Sequence, residues 1–301
     1  MNNIKKIFAL VLVLGIVFSF VSCGTDSKDG ADGLGQSEQP SDKTEQTDDA
    51  ADGTNADELT KLTVGASPAP HAEILENVKD ALLEEGVELE IVEFTDYLLP
   101  NIALQDGDID ANYFQHAPFL SDFNAENDAD LAVAGKIHYE PLGIYPGKSS
   151  DIKNVPDGAV IGIPDDSTNG ARALLLLESQ GVITLEEGVA FSKLTKLNIV
   201  ENPHNVEITE LEAVLLPVQL PDMDFAVING NYALGSGVAD TVIVTEDENS
   251  VAIEYVNVVA VQSGNEKNDA VVKLINALKS ENSKKFIEDS YGQTVIVYEG
   301  E

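Results

Sequence analysis

The chain has 301 residues and a formal net charge of −36, from 53 acidic and 17 basic side chains. So acidic a protein is a poor partner for nucleic acid or for an anionic membrane surface, and we expect no nucleic-acid partner. A hydrophobic content of 43% excludes wholesale disorder, and a single cysteine excludes an internal disulfide or a metal site built from cysteines.

The N-terminus has the pattern of a bacterial secretory signal, predicted over residues 1–22. Two lysines precede an apolar run at 7–21 that is too short to span a membrane. Small residues then precede the only cysteine, Cys23, as in the lipobox of bacterial lipoproteins. We predict lipidation of Cys23, attachment to the cell membrane through this lipid, and an extracytoplasmic location. An ordinary signal peptide followed by an incidental thiol is the alternative.

Residues 23–60 are acidic, rich in Gly, Ser and Thr, and without hydrophobic periodicity, which predicts a disordered tether. The folded part then begins with a strand at 62–65 and a helix at 72–85 that ends at Gly86. A second strand follows at 87–94. This βαβ pattern predicts an α/β fold with a parallel sheet. His71, between the first strand and the helix, is interpreted as a turn residue, and a role in capping or lining the mouth of a cleft is the alternative.

An aromatic cluster follows a second predicted helix at 97–107. Tyr113, Phe114 and His116 lie close together in a chain that has no tryptophan and only 6% aromatic residues. Aromatic rings with polar tips are typical of a half-polar pocket wall, and a place in the core is the alternative. Phe119, just beyond, is expected to belong to the core.

Arg172 is the only arginine, and it follows an apolar strand at 160–163 and a turn rich in Asp, Ser and Asn. We expect it at the start of a helix, beside free backbone N–H groups. Its planar fork can grip a carboxylate in a way that lysine cannot, which predicts a ligand carboxylate site. A salt bridge with one of the many acids is the alternative.

Two asparagines interrupt apolar strands. Asn229 follows the run at 223–228, at the strand end where open α/β sheets place ligands, although a turn asparagine is the alternative. Asn257 lies inside the valine-rich strand predicted at 251–261, where a buried amide needs a partner. The chain has no phosphate-binding glycine loop, no nucleophile motif and no metal-ligand spacing among its histidines. We therefore expect no cofactor, no metal and no enzyme.

Several longer stretches together resemble the NlpA lipoprotein family, the methionine-binding components of ABC importers. They are PHAEIL at 70–75, DYLLPNIAL at 96–104, DANYFQHAPFL at 110–120, EPLGIYP at 140–146, TNGARALLLL at 168–177, ENPHN at 201–205, ELEA at 210–213, AVINGNYA at 226–233 and YVNVVAV at 255–261. The resemblance implies a two-lobed periplasmic-binding-protein fold of type 2, with a ligand cleft between the lobes. It implies one lobe at 61–147 and 248–301 and the other at 148–247.

The resemblance also implies roles for individual residues. Arg172 would bind the α-carboxylate of methionine, and Asn229 and Asn257 would hold its amino and carboxylate groups. The slot for the side chain would be formed by Tyr97, Tyr113, Phe114 and His116. The implied partners are an ABC permease and its ATPase subunits. The alternatives are the same fold tuned to another small apolar amino acid, to D-methionine or to a short peptide, or a surface adhesin lipoprotein.

Overall fold

The computed structural model describes residues 59–247 and 254–300. The predicted signal peptide, Cys23 and the acidic tether lie outside the described residues, as does the first part of the strand predicted at 251–261. Within the described ranges, no helix has the length and apolarity needed to cross a membrane.

Strands and helices alternate along most of the described chain. The strands are β1 Thr60–Ala66, β2 Val87–Glu93, β3 Ala111–His116, β4 Leu131–Tyr139, β5 Gly143–Pro146, β6 Val160–Pro164, β7 Thr184–Leu185, β8 Ile199–Glu201, β9 Glu207–Leu211, β10 Phe225–Ile228, β11 Val244–Thr245, β12 Val256–Gln262 and β13 Ile296–Val297. The α-helices are α1 Glu73–Glu84, α2 Leu99–Asp106, α3 Ala117–Asn127, α4 Ser167–Ser179, α5 Leu216–Gln219, α6 Gly230–Gly235, α7 Asp269–Leu278 and α8 Glu281–Tyr291. Shorter helical turns are Pro68–Ala72, Phe191–Lys193, Lys196–Asn198, Ala213–Leu215, Leu220–Asp222 and Ala239–Thr241.

The first sheet has the strand order β13-β4-β12-β3-β1-β2. β1 pairs in parallel with both β2 and β3, which confirms the predicted βαβ unit. β12 is antiparallel to β3 and β4, so the C-terminal part of the chain returns to the middle of this sheet. α1 covers the sheet with Ile74, Leu75, Val78 and Leu82, all buried and spaced along one helix face.

The second sheet has the order β11-β5-β10-β6-β9. β6 is parallel to β9 and β10, whereas β5 is antiparallel to β10. α4 packs on this sheet through a largely apolar surface that includes Ala173, Leu174 and Leu177. A separate small sheet pairs β7 with β8.

The chain passes from the first sheet to the second earlier than the boundary predicted between residues 147 and 148. β4 ends at Tyr139 in the first sheet, and β5 already begins at Gly143 in the second. The sequence pattern placed the boundary at the Pro-Gly-Lys-Ser loop. However, β5 precedes that loop and forms its hydrogen-bonded pairs with β10 and β11. The linking segment, residues 140–142, is buried.

α4 begins earlier than expected, and this changes the setting of Arg172. The N-cap is Asp166, whose carboxylate accepts the backbone N–H of Asn169 at 2.9 Å. Arg172 therefore lies in the second turn of the helix rather than among free N–H groups at its start. Asn169 and Arg172 are three residues apart and so share one helix face.

Candidate functional site

A cavity lies where the ends of β3, β10 and β12 meet the start of α4. Its space, open solvent at the mouth included, is about 350 Å³, of which only about 20 Å³ admits the centre of a water molecule, so its own side chains nearly fill it in this conformation. The lining residues are Tyr97, Phe114, Gln115, His116, Phe119, Glu140, Asn169, Arg172, Asn229, Gly230, Asn231 and Asn257. Thus six of the seven predicted ligand residues, all except Tyr113, line one cavity.

Arg172 lines the cavity and also forms a buried ion pair with Glu246. Its Nε donates to Glu246 Oε1 at 3.0 Å, and its Nη2 donates to Oε2 at 2.6 Å. Nη2 also reaches the backbone oxygen of Glu140 at 3.2 Å, and the guanidinium lies 4.5 Å from the ring centroid of Tyr255. Burial alone would raise the pKa of Glu246, but the charge and hydrogen bonds of Arg172 lower it. The salt-bridge alternative is thus present, and it fixes the guanidinium in place.

Asn169 connects three of the predicted ligand residues. Its Oδ1 accepts from Arg172 Nη1 at 3.1 Å, from Asn229 Nδ2 at 3.0 Å and from His116 Nε2 at 3.2 Å. Its Nδ2 donates to both carboxylate oxygens of Asp166 at 3.0 Å. Asp166, the N-cap of α4, holds Asn169 in place. Asn169 in turn positions the three side chains that donate to its oxygen.

The hydrogen bonds of His116 assign its tautomer. Nδ1 accepts the backbone N–H of Phe119 at 3.2 Å, as the N-cap of α3, so Nε2 carries the proton and donates to Asn169. Burial, followed by the charge of Arg172, lowers the pKa of His116 to about 3. His116 is therefore a neutral donor at physiological pH.

Asn229 has a spare acceptor that is buried. It follows β10 directly and is the N-cap of α6, and its Oδ1 has no hydrogen-bond partner among the described residues. An unpaired buried oxygen is costly, and a donor on a ligand would satisfy it.

Asn257 binds a histidine that the sequence interpretation placed in a turn. Its Oδ1 lies 3.1 Å from Nε2 of His71, which is 1% exposed. His71 lies beside Glu140 and His138, and Nε2 of His138 is 2.8 Å from Glu140 Oε1. Of these buried groups, Glu140 and Asn257 line the cavity, and the two histidines contact them from outside its lining.

Tyr113 lies apart from the other predicted ligand residues. It is 0% exposed, belongs to the core cluster with Ile74 and Leu75, and hydrogen-bonds to Nδ1 of His138. Successive strand residues face opposite sides of a sheet, so Tyr113 cannot face the same side as Phe114. Its predicted place in the side-chain slot is therefore corrected: it packs behind the cavity.

Aromatic rings form one wall of the cavity. The ring centroid of Tyr97 is 5.9 Å from that of Phe114, 5.6 Å from that of Phe119 and 4.8 Å from that of Tyr232. The hydroxyl of Tyr97 donates to Asn231 Oδ1, at 2.6 Å, on the opposite side of the cavity. Phe119 was expected in the core, but it lines the cavity instead.

The sequence model of the NlpA lipoprotein family matches residues 62–298. The chain belongs to the NlpA lipoprotein family. It is 35% identical over 239 residues to the methionine-binding lipoprotein MetQ of Bacillus subtilis, covering 78% of this chain and 87% of the relative. It is 38% identical over 225 residues to the D-methionine-binding lipoprotein MetQ of Salmonella typhi, covering 73% and 82%.

The solved structures of NlpA relatives show the same fold. A nutrient-binding protein from Burkholderia cenocepacia, solved bound to methionine, is 37% identical. It superposes with a TM-score of 0.75, covering 78% of this chain and 99% of that one. The predicted α/β fold of a periplasmic substrate-binding protein is thereby confirmed.

Five polar contributors to this site were missed by the sequence interpretation. Gln115, Glu140, Asn169 and Asn231 each lie inside a stretch that carries the family resemblance, so their polar character beside apolar residues was the available signal. Glu246 had no such signal, because it is one of 53 acids and its partner lies 74 residues away.

His71, His138 and Glu140 bring three ligand-type atoms within 4.8 Å of one another, close enough in principle to hold a metal ion. Tetrahedral zinc ligands at about 2.0 Å from the ion lie about 3.3 Å apart. The 2.8 Å between His138 Nε2 and Glu140 Oε1 is shorter than this and matches a hydrogen bond. The contact between His138 and Glu140 in this conformation is therefore a hydrogen bond.

We expect the protein to lose stability as the pH falls below about 6.5, the ordinary histidine pKa. Burial lowers the pKa of His71 to about 4 and those of His116 and His138 to about 3. Between these values and 6.5 the unfolded chain binds protons that the folded protein does not. Each histidine therefore reduces the free energy of unfolding by about 1.4 kcal/mol per pH unit.

Urea unfolding in steps from about pH 7.5 to 5 measures this slope. The raised pKa of Glu140, caused by burial, acts in the opposite direction, because the folded protein binds that proton more readily. Replacing His138 by Gln should reduce the slope by about 1.4 kcal/mol per pH unit. Equal stability across this range would contradict the prediction.

Proposed function

We propose that the chain is the substrate-binding component of a methionine ABC importer, held on the extracytoplasmic face of the cell membrane by a lipid on Cys23. It would capture L-methionine and deliver it to a permease with its ATPase subunits. The observation that carries this proposal is one cavity that combines a fixed arginine, five amide side chains and an aromatic wall. The names of the Bacillus relative and of the methionine-bound structure support it.

Each part of the cavity suits one part of an amino acid. Arg172 Nη1, whose neighbours Nε and Nη2 are occupied by Glu246, points a charged donor toward the α-carboxylate. Asn257 and Asn229 would hold the carboxylate and amino groups. The free Oδ1 of Asn229 supplies an acceptor for an ammonium proton. Because Glu246 already occupies two sides of the guanidinium, the ligand carboxylate would meet a single edge rather than the full fork.

The aromatic side would receive the thioether tail. Tyr97 and Phe114 offer ring faces and edges, with which sulfur makes favourable contacts, and His116 closes the slot as a neutral donor. Tyr113 has no part in this contact. Each of these contacts binds a part of the ligand without a reacting group, so binding rather than catalysis is the proposed activity.

The two sheets support a two-lobed arrangement around the cavity. We propose that the lobes meet at the buried segment 140–142 and between β11 and β12, and that they close on the ligand by a hinge. Tyr97 and Asn231 join the two sides across the cavity at 2.6 Å, as does the hydrogen bond from Tyr232 to the backbone oxygen of Thr95 at 3.2 Å.

The test is mass spectrometry of small molecules released when the purified protein is denatured. Methionine released by the wild-type protein and absent from an Arg172→Ala variant would support both the ligand and its site. Calorimetry with L-methionine, D-methionine, leucine and methionine-containing dipeptides then ranks the alternatives, of which D-methionine is named for the Salmonella relative. A protein silent to all of these would favour the adhesin reading and overturn the proposal.

Replacing Tyr97 by Ala should weaken methionine binding by about 10- to 100-fold and alanine binding by much less, because only a long side chain reaches the ring. Calorimetry with both amino acids measures the difference. Tyr97→Phe is the matched control: it keeps the ring and loses only the bond to Asn231. An equal loss for methionine and alanine would place Tyr97 outside the side-chain slot.

A further inference from the structure

Glu140 is a cavity-lining carboxylate whose side chain is not paired with a lysine or an arginine of the described chain. It is 8% exposed, and within the described chain its side-chain ion pairs are with His71 and His138 and with no lysine or arginine. Arg172 reaches only its backbone oxygen, since the guanidinium charge is paired with Glu246. An ionised Glu140 would therefore face the cavity without a matching positive charge. Burial raises the pKa of Glu140, and a positive group in the cavity would favour its ionised form.

The two histidines behind Glu140 are donors rather than cations. A carboxylate only accepts hydrogen bonds, so Nε2 of His138, at 2.8 Å, carries a proton. Nδ1 of the same ring then accepts the hydroxyl of Tyr113, which settles the tautomer. Burial keeps the pKa values of both histidines well below neutral pH, so neither ring neutralises the carboxylate.

His71 extends the same chain of hydrogen bonds to Asn257. Its Nε2 lies 3.3 Å from Glu140 Oε1 and 3.1 Å from Asn257 Oδ1, which are both acceptors, so this nitrogen carries the proton. With its Oδ1 held by His71, Asn257 has its NH₂ group left to donate to a ligand. The hydrogen bond from His138 to Glu140, at 2.8 Å, favours the ionised form of the carboxylate.

We infer that Glu140, oriented by Tyr113, His138 and His71, receives the protonated α-amino group of the ligand and restricts the site to amino acids whose amine is free. This inference rests on the proposed amino-acid-binding function. An ammonium group supplies the positive charge that the cavity lacks. An N-acylated or N-formylated amino acid, or a carboxylic acid without an amine, would leave the buried carboxylate unpaired.

The close approach of Gly230 to Glu140 fits this role. A Cβ at Gly230 would lie 3.1 Å from both Cβ and Oε2 of Glu140, tighter than most such contacts. A glycine at this position therefore leaves the carboxylate free to keep its orientation beside the start of α6.

The experiment compares Glu140→Gln with the wild-type protein by calorimetry. The ligands are L-methionine, N-acetyl-L-methionine and the methionine analogue in which hydrogen replaces the amino group. Gln keeps the shape and an acceptor oxygen but not the charge. We expect Glu140→Gln to bind methionine about 10- to 100-fold more weakly than the wild-type protein does. For the analogue without an amine, we expect the variant and the wild-type protein to have similar affinities. The ratio of the affinity for methionine to that for the analogue would then fall toward one.

Two variants of His138 test whether this residue orients Glu140 or only stabilises the fold. Gln places its amide nitrogen close to where the histidine Nε2 lies and should keep most of the preference for a free amine, whereas Leu removes the donor and should lose it. Thermal unfolding checks that each variant is folded. A purely structural role would change the stability of both variants without changing the ratio of affinities for methionine and its analogue.

The outcomes distinguish this inference from the proposed function. Methionine binding by wild type with an unchanged amine preference in Glu140→Gln, or an equal loss for both ligands, would overturn the role of Glu140 and leave the proposed function intact. Failure of wild type to bind methionine or any other free amino acid would overturn both.

Discussion

Replacing Arg172 by lysine is expected to weaken methionine binding by about 100-fold or more, although the positive charge is retained. The guanidinium makes four hydrogen bonds, two to Glu246, one to Asn169 and one to the backbone of Glu140. A lysine has a single nitrogen and cannot make these bonds in the same plane. Asn169 would lose a donor and Glu246 its bidentate partner, so the groups facing the ligand would shift together.

Isothermal titration calorimetry measures this loss, with circular dichroism and a melting curve to confirm folding. The ligand without an amine is informative here too, because it retains the carboxylate that Arg172 is proposed to hold. Its affinity should fall as much as that of methionine. Affinity for methionine within about threefold of wild type would remove Arg172 from the binding site, since such a change is under 1 kcal/mol.

Replacing Glu246 by glutamine should destabilise the folded protein by about 3–5 kcal/mol. The side chains of Arg172 and Glu246 are 3% and 6% exposed, so the variant would leave a buried guanidinium without its counter-charge. Glu246 also accepts the hydroxyl of Tyr139 at 2.8 Å and the backbone N–H of Leu142 at 2.9 Å, beside the segment that links the two sheets. Loss of the carboxylate would therefore loosen that segment as well.

A matched control is available on the surface. Glu210 pairs with Lys196 at 2.8 Å, but their side chains are 35% and 42% exposed, so Glu210→Gln should change stability by at most about 1 kcal/mol. Urea unfolding of both variants at neutral pH gives the comparison. Similar losses in the two variants, or a loss below about 1 kcal/mol for Glu246→Gln, would contradict a structural role for the buried pair. Because the pKa of Glu246 is lowered, its contribution should disappear as the pH falls through that pKa.

Local pattern was enough to predict many elements of the fold. Apolar runs bounded by Gly and Pro located β6 and β10, and helical spacing located α1, α7 and α8. A strand end indicated Asn229, a helix start indicated Arg172, and a polar residue inside the valine-rich run indicated Asn257; all three line the cavity. The start of α4 was missed because the Asp166 N-cap precedes four residues of weak helix propensity, which the cap itself holds in the helix.

The aromatic segment shows where local pattern fails. All six residues of β3 are buried, so the strand has no exposed face to mark which side meets the ligand. Alternation along the strand places Tyr113 and Phe114 on opposite faces, but only the core packing of Tyr113 with residues of α1 shows which of the two faces lines the cavity. Phe119, in α3, was assigned to the core because its apolar ring does not differ in chemistry from the phenylalanine rings that are buried.

By itself the sequence determined the fold class and a candidate carboxylate-binding arginine, because these depend on periodicity and residue chemistry along the chain, and its resemblance to the NlpA stretches supplied the family and the residues implied for the amino group. Tertiary structure alone decided which of the 53 acids pairs with Arg172, where the chain changes sheets, and that His71, Tyr113 and His138 lie behind Glu140. These contacts join residues far apart in the chain. Burial gives them their strength, and burial is a property of the packed molecule rather than of any one segment.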